Sequence, residues 1–279
     1  MTTTIIGTGL IGGSLALTLK AKGISQHIIG VDTNPLHLQR AIERSIIDEI
    51  APLDDALPVS DIVILAIPVD RATVLLPALL DKVTHQVILD VGSTKADICA
   101  AVHTHHRRSR YVASHPMWGT EFSGPDAAIE DPFQHKTVVI CNRENSASDA
   151  LLIAEDIYMR MNMRIIYMDA IAHDIHAAYV SHISHITSFA LANTVLEKER
   201  EEDAIFDLAS GGFESTVRLA KSNPAMWIPI FQQNRDNVLD VLNEHISQLG
   251  KFKSCIEKEN WEYLAELIEN ANKIKKILK

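Results

Sequence analysis

The sequence is poor in cysteine and has no long hydrophobic run. It contains three cysteines, Cys99, Cys141 and Cys255, which lie far apart and form no C-x-x-C pair. This spacing favours neither a disulfide framework nor a zinc site, and it suits a reducing cytosol. No stretch approaches the roughly 18 consecutive apolar residues of a membrane-spanning helix. We therefore expect a cytoplasmic protein that does not associate with membranes.

Positive charge is also scarce. The chain has 26 Lys and Arg against 36 Asp and Glu, a formal net charge of −10. An average field of this sign repels polyanions, so nucleic acid is not an expected partner. The apolar start of the chain lacks a basic segment and is interrupted by glycines, so we interpret it as part of the fold rather than a signal peptide.

The order of apolar segments predicts an α/β domain in residues 1–168. Helix-length segments at Ile11–Lys20 and Pro35–Arg44 separate the early strand-like runs, and such alternation is typical of a doubly wound, Rossmann-type parallel sheet. The predicted strands, all short and rich in β-branched residues, are Thr3–Ile6, His27–Val31, Ile62–Ile67, Val87–Asp90, Tyr111–Ala113, Thr137–Ile140 and Arg164–Met168.

Residues 169–279 have a helical pattern. Ala170–Lys198 contains neither glycine nor proline, and Val238–Lys279 repeats apolar residues at steps of three and four. Apolar stripes on helices of this length need a partner surface, which a second copy of the chain can supply. We expect an all-helical domain that forms a homodimer.

A glycine motif directly after the first predicted strand indicates a dinucleotide site. Gly7, Gly9 and Gly12 occupy the G-x-G-x-x-G positions, a helix follows, and Asp32 ends the next strand. The glycines allow a tight turn, close approach of a pyrophosphate and close helix–strand packing, and the carboxylate can bind the adenosine ribose. Asp32 would repel a 2′-phosphate, so NAD is expected rather than NADP. The predicted cofactor-binding residues are Gly7, Gly9, Leu10, Ile11, Gly12 and Asp32.

Two further segments follow predicted strands, where ligands bind in open α/β sheets. V-G-S-T-K places Ser93 after one strand, and S-H-P-M-W-G-T-E places His115 at the end of the next. A neutral histidine there could accept a proton from a substrate hydroxyl while hydride leaves for the nicotinamide. From spacing alone, an ordinary buried or capping histidine is an equally good interpretation of His115.

The motifs together resemble one family over essentially the whole chain. The glycine fingerprint, G-S-x-K, H-P-M-x-G-T, S-H-x-x-H and G-G-F…R-x-A-x-S-x-P-x-M-W occur in that order, as in the prephenate and arogenate dehydrogenases. The resemblance implies NAD-dependent oxidative decarboxylation of prephenate to 4-hydroxyphenylpyruvate in tyrosine biosynthesis. Arogenate, which carries an amino group in place of the side-chain keto group, remains the alternative substrate.

The resemblance also implies roles for individual residues. His115 is similar to the catalytic histidine that engages the substrate 4-hydroxyl, and Ser93 to a serine hydrogen-bonded beside it. Arg218 resembles the arginine that pairs with a substrate carboxylate. The remaining matches are His185, near the substrate; Thr120 and Glu121, at the pocket mouth; and Trp227, which would reach the pocket from the partner subunit.

One position departs from the family pattern. Members can carry an acidic residue three positions before the arginine, whereas this chain has Ser215 there, preceded by Glu214. The orientation of Arg218 is therefore not fixed by the motif.

Three other interpretations fit the sequence less well. A metal site among His173, His176, His182 and His185 is disfavoured, because these histidines point to different sides of a helix, and His173 and His176 can be core or capping residues. A β-hydroxyacid dehydrogenase would need a lysine on the helix after the nucleotide domain, and none occurs between Lys136 and Lys198. A non-catalytic NAD-sensing protein would not need His115, Ser93 and Arg218 together.

Overall fold

A computed structural model describes residues 1–200 and 205–277. Its contacts divide the chain into two compact units, Met1–Arg235 and Asp236–Lys279. Within the first unit, the change from α/β to helical structure falls between Met168, which ends a strand, and Ala170, which begins a helix. The domain boundary after residue 168 stays a prediction.

The first unit is built on one eight-stranded sheet of order β3-β2-β1-β4-β5-β6-β7-β8. All neighbouring strands are parallel except β6 and β7. The predicted Rossmann-type fold is confirmed, although β3 and the antiparallel pair were not predicted. The strands are β1 (Thr2–Ile6), β2 (His27–Val31), β3 (Glu49–Ile50), β4 (Ile62–Leu65), β5 (Val87–Asp90), β6 (Tyr111–Pro116), β7 (Thr137–Cys141) and β8 (Arg164–Met168).

The helices of this unit cover the sheet and then continue without further strands among the described residues. They are α1 (Leu10–Ala21), α2 (Pro35–Glu43), α3 (Leu53–Ala56), α4 (Val69–Lys82), α5 (Ala96–Ala101), α6 (Ser148–Arg160), α7 (Ala170–Ala177), α8 (Ile183–Glu199), α9 (Gly211–Val217) and α10 (Pro224–Gln233). One π-helical turn, Ala178–His182, joins α7 to α8. The segment Ala170–Lys198, predicted to be helical, is therefore helical, and it consists of two helices connected by this turn.

Two hydrophobic clusters pack on the sheet, because its central strands are apolar on both faces. Ile62–Leu65 and Val87–Asp90 are buried throughout. One cluster includes Leu15 of α1 and Tyr158 of α6, and the other includes Leu76 of α4 and Tyr111 of β6. Packing on both faces fixes the strand ends that carry the candidate site residues.

The second unit consists mainly of two helices, α11 (Arg235–Glu257) and α12 (Trp261–Asn272), of which α11 begins one residue before the unit boundary. Four apolar side chains of the predicted stripe are exposed in the single chain: Leu239, Ile246, Leu249 and Ile256. Exposed apolar surface of this kind marks an interaction surface. The last two residues of the predicted helical segment lie outside the described residues.

Within residues 1–200 and 205–277, no helix combines the length and apolar character needed to cross a membrane.

Candidate active site

The turn between β1 and α1 has the geometry of a dinucleotide-binding loop. Gly7 has a φ of 96°, and a Cβ there would collide with the carbonyl oxygen of Ala66. A Cβ at Gly12 would collide with the carbonyl oxygen of Gly7, whereas nothing lies within 4 Å of a Cβ built on Gly9. The first and third glycines therefore permit close packing, and the second leaves room for a phosphate group. Leu10 and Ile11 begin α1 at this turn.

Asp32 lies directly after β2 and is tied to the glycine loop. Its Oδ2 accepts hydrogen bonds from the Thr8 amide at 2.9 Å and the Thr8 hydroxyl at 3.2 Å, and its Oδ1 accepts one from the Asn34 amide at 2.9 Å. His37 Nδ1 lies 3.6 Å from the same carboxylate. The carboxylate is thus held at the sheet edge beside the turn, where a ribose hydroxyl could donate to it.

His115 occupies the carboxyl end of β6 and is partly exposed. Its Nδ1 lies 2.9 Å from Nε2 of His173, whose ring is at an interplanar angle of 65° to its own. The expected hydrogen bond to Ser93 is not present among the described residues, so in this structure His173 is the side chain that orients the imidazole.

Burial and nearby positive charge lower the pKa of His115 well below its ordinary value of 6.5. The largest cause is removal of water from the ring, followed by electrostatic interactions with His173, Lys95 and His182. The ring is therefore neutral at neutral pH and can accept a proton.

Two buried carboxylates, Asp174 and Asp90, hold the turn after β5. Asp174 accepts hydrogen bonds from the amides of Lys95 and Ala96, each at 2.8 Å, and the side chain of His173 lies 2.7 Å from its Oδ1. Asp90 forms an ion pair with Lys95, and both side chains are at most 1% exposed. These contacts connect the turn after β5 to α7, which packs against α5 and β7.

The substrate-binding residues expected from the second half of the chain form two contacts. Arg218 donates from a terminal guanidinium nitrogen to Glu121 Oε2 at 2.6 Å. His185 packs against Trp227 with ring centroids 3.5 Å apart. The pKa of His185 is lowered, mainly by burial, with a smaller effect from the charge of Arg218. Trp227 therefore contacts its own chain here, and its expected position in the partner's pocket stays a prediction.

The departure at Ser215 has a structural counterpart. Its hydroxyl donates to the Gly212 carbonyl at 3.0 Å, inside its own helix. Glu121, on the segment after β6, supplies the carboxylate that holds Arg218. The structure thus orients Arg218 through a residue 97 positions away, whereas the motif places the acidic residue only three positions away. Next to Glu121, Thr120 accepts a weak 3.3 Å hydrogen bond from the Phe122 amide.

Among the described residues, the four helix histidines do not bring three ligand atoms close enough together to share one ion. In the part of the chain that the structure describes, the side chains close enough to share one ion are Asp81, His105 and His106.

Sequence reasoning missed His173, Asp174, Asp90 and Lys95 as parts of this site. From the sequence, His173 is interpreted as a core or capping residue, like His176, and no role is assigned to Asp174, to Asp90 or to the lysine of V-G-S-T-K. One signal was available: a lysine and an aspartate that flank a strand-end turn are rarely buried unless they are paired.

Two protein-family descriptions match the chain. Residues 15–167 match the family described as prephenate dehydrogenase, nucleotide-binding domain, and residues 169–270 match prephenate dehydrogenase, dimerization domain. The first match covers the sheet from β2 to all but the last residue of β8, beginning after β1 and the glycine turn, and the second covers most of the helical remainder.

Individual relatives cover nearly the whole chain. It is 30% identical to a prephenate dehydrogenase of Bacillus subtilis over 96% of this chain and 73% of that protein. The crystal structure of the Aquifex aeolicus prephenate dehydrogenase with hydroxyphenyl propionate and NAD+ has 29% identity and a TM-score of 0.87, covering 99% of this chain and 97% of that one. The Synechocystis arogenate dehydrogenase has 26% identity and a TM-score of 0.77, with both chains covered completely. The chain belongs to the prephenate dehydrogenase family.

Proposed function

We propose that this protein catalyses the NAD-dependent oxidative decarboxylation of prephenate to 4-hydroxyphenylpyruvate, with release of carbon dioxide. The observation that carries the proposal is His115: a neutral, partly exposed imidazole at the carboxyl end of β6, on the sheet edge that also holds the glycine turn and Asp32. Family membership and the NAD+ bound by the Aquifex relative support the choice of reaction and cofactor.

NAD, which the glycine turn and Asp32 would hold, would supply the acceptor for a hydride from C4 of the substrate ring. His115 accepts the proton of the 4-hydroxyl, so the C4 oxygen becomes a carbonyl. The C1–carboxylate bond then breaks, carbon dioxide leaves, and the bonding electrons complete the aromatic ring while the C4 oxygen takes up a proton. Aromatisation drives the reaction, and the protein's task is to orient a doubly anionic substrate.

Arg218 is proposed to bind one substrate carboxylate. The side chain of Arg218 is 48% exposed, and its guanidinium already has one carboxylate partner, Glu121. A guanidinium has five N–H donors and can bind a second carboxylate while it keeps the first. His185, Trp227 and Thr120 would line the same pocket. When the substrate is bound, Ser93 would contact either the substrate or His115.

Arogenate is the second candidate substrate, because the Synechocystis relative is named as an arogenate dehydrogenase and covers the whole chain. Its extra ammonium group would favour an acidic neighbour near the side-chain end of the substrate. Glu121 is the carboxylate that stands beside Arg218.

The proposal also includes a homodimeric assembly and a cytoplasmic location. The match to a dimerization domain and the exposed apolar side chains of α11 support a homodimer. The three cysteines are free, which favours a reducing cytoplasm.

Steady-state kinetics test the reaction. Purified protein is assayed for NADH or NADPH formation with prephenate and with arogenate. We expect the highest kcat/KM with prephenate and NAD. His115→Asn should lower kcat by about 10²–10⁴-fold, the usual effect of losing acid–base catalysis, while the exposed histidine variant His103→Asn keeps wild-type activity. No reduction of either cofactor with either substrate would refute the proposal, and a higher kcat/KM for arogenate would replace prephenate as the substrate.

A further inference from the structure

A continuous chain of hydrogen bonds lies behind the candidate base. Asp174 Oδ1 lies 2.7 Å from Nδ1 of His173, and Nε2 of His173 lies 2.9 Å from Nδ1 of His115. His173 and Asp174 are each 2% exposed, so water does not compete for these contacts. Both ring nitrogens of His173 and Nδ1 of His115 therefore each have one defined partner.

The direction of the hydrogen bonds follows from Asp174. Its two oxygens already accept the amides of Lys95 and Ala96, each at 2.8 Å. An ionised carboxylate has no hydrogen to donate, so Nδ1 of His173 is the donor in the 2.7 Å contact. When His173 carries a single ring hydrogen, Nδ1 holds it, and Nε2 of His173 is then an acceptor.

The same rule then fixes His115. Because Nε2 of His173 accepts, Nδ1 of His115 donates in the 2.9 Å contact. The lone pair of a neutral His115 is consequently on Nε2, the nitrogen that His173 does not contact. A proton acceptor is needed at this nitrogen if His115 acts on a substrate hydroxyl.

We propose that His173 is a positioning residue that holds His115 in the Nδ1–H tautomer, and that Asp174 in turn fixes the tautomer of His173. This inference rests on the proposed role of His115 as the base. Neither His173 nor Asp174 acts on the substrate, and removing either should lower turnover rather than substrate binding.

Other contacts of the fold hold this row of hydrogen bonds, from Asp174 through His173 to His115, in place. The side-chain amide of Asn234 donates to the Asp174 carbonyl at 2.7 Å, and α7 packs against both α5 and β7. The carboxylate therefore cannot move away from His173 without breaking contacts with the turn after β5 and with the segment after α10.

Nitrogen NMR tests the tautomer without any assay of activity. Protein labelled with ¹⁵N in histidine is examined at neutral pH by long-range ¹H–¹⁵N correlation, which separates protonated from unprotonated ring nitrogens. The His115→Asn variant assigns the signals of His115. We expect Nδ1 of His115 to be protonated and Nε2 to be unprotonated. An Nε2–H tautomer in the wild type would overturn the proposal, and this arm remains decisive if a variant fails to fold.

Three variants connect the tautomer to turnover. His173→Leu removes both ring nitrogens and should lower kcat roughly 10- to 100-fold, with KM for substrate and NAD within about threefold. His173→Gln offers an amide oxygen that can accept from Nδ1 of His115, so it should retain part of kcat. His176→Leu is the matched control, because His176 lies on the same helix and is exposed; it should behave as the wild type.

The outcomes separate this inference from the proposed function. Loss of the Nδ1–H tautomer together with the fall in kcat in His173→Leu supports it, whereas an unchanged tautomer with kcat within twofold of wild type overturns it. If the wild type reduces no cofactor with either substrate, the proposed function fails, and the NMR result still decides the tautomer.

Discussion

Acid should destabilise this protein through His182, a buried histidine on the turn between α7 and α8. Nδ1 of His182 accepts a 3.1 Å hydrogen bond from the side-chain amide of Asn234. Protonation would place a second donor against that amide. The pKa of His182 is lowered from 6.5 to about 4, mainly because the ring is buried; Asp174 opposes this shift, and electrostatic interactions with His173 and His185 add to it.

The magnitude follows from linkage between protonation and folding. With a pKa of 6.5 in the unfolded chain and about 4 in the folded one, the unfolded state binds more protons below pH 6.5. The stability is fully present above that pH and is lost as the pH falls toward 4. Between pH 7 and pH 5 the free energy of unfolding should decrease by about 2 kcal/mol from His182 alone.

Urea denaturation at pH 7 and pH 5, at one chain concentration, measures this loss. His182→Asn is the informative variant, because its amide oxygen can accept the Asn234 hydrogen bond but does not titrate. Its free energy of unfolding should fall about 2 kcal/mol less than that of the wild type between the two pH values, whatever the cost of the smaller side chain. His103→Asn, at an exposed site, should keep the wild-type dependence. Equal pH dependence in His182→Asn and wild type would refute the reasoning.

Four further predictions concern the cofactor, the substrate, the core and the assembly. Asp32→Ser combined with Thr33→Arg should raise the NADP/NAD ratio of kcat/KM, because a repulsive carboxylate is removed and a phosphate partner added; an unchanged ratio would contradict the role of Asp32. Arg218→Ala should raise KM for the substrate roughly 10- to 150-fold, since a charge-assisted contact contributes about 1.5–3 kcal/mol, and a KM within twofold of wild type would exclude it as the clamp. Asp90→Asn should lower the free energy of unfolding by about 3–5 kcal/mol, because Lys95 is left buried without its carboxylate; a loss below 1 kcal/mol in urea denaturation would show that the pair is not needed. Sedimentation at micromolar concentration should give twice the chain mass of 30.9 kDa, and a fully active monomer would exclude the dimer.

The fold was largely predictable because its signals are local. Strands β2, β5 and β8 match their predicted bounds, since each is a short β-branched run bounded by turn residues. The two-residue strand β3 was missed because Glu49 and Ile50 form no such run. The antiparallel β6–β7 pair was also missed. Strand direction depends on the path of the long connection between them, which periodicity does not report.

The cofactor turn was predictable for a similar reason. Gly7, Gly9 and Gly12 act through backbone conformation and close approach, and both follow from their spacing between a strand and a helix. His115 could also be placed at a strand end from the sequence alone. The side chain that contacts His115 could not be predicted in this way.

Only the tertiary structure placed His173 against His115, 58 positions earlier in the chain, and Glu121 against Arg218, 97 positions later. The sequence determined the order of most elements, the glycine turn, the family and the strand end that carries His115. Which side chains then pair depends on how α7 packs over α5 and β7, and on where the segment after β6 meets the helices. Hydrogen bonds form over about 3 Å, so residue type and spacing cannot specify partners that packing alone brings within that distance.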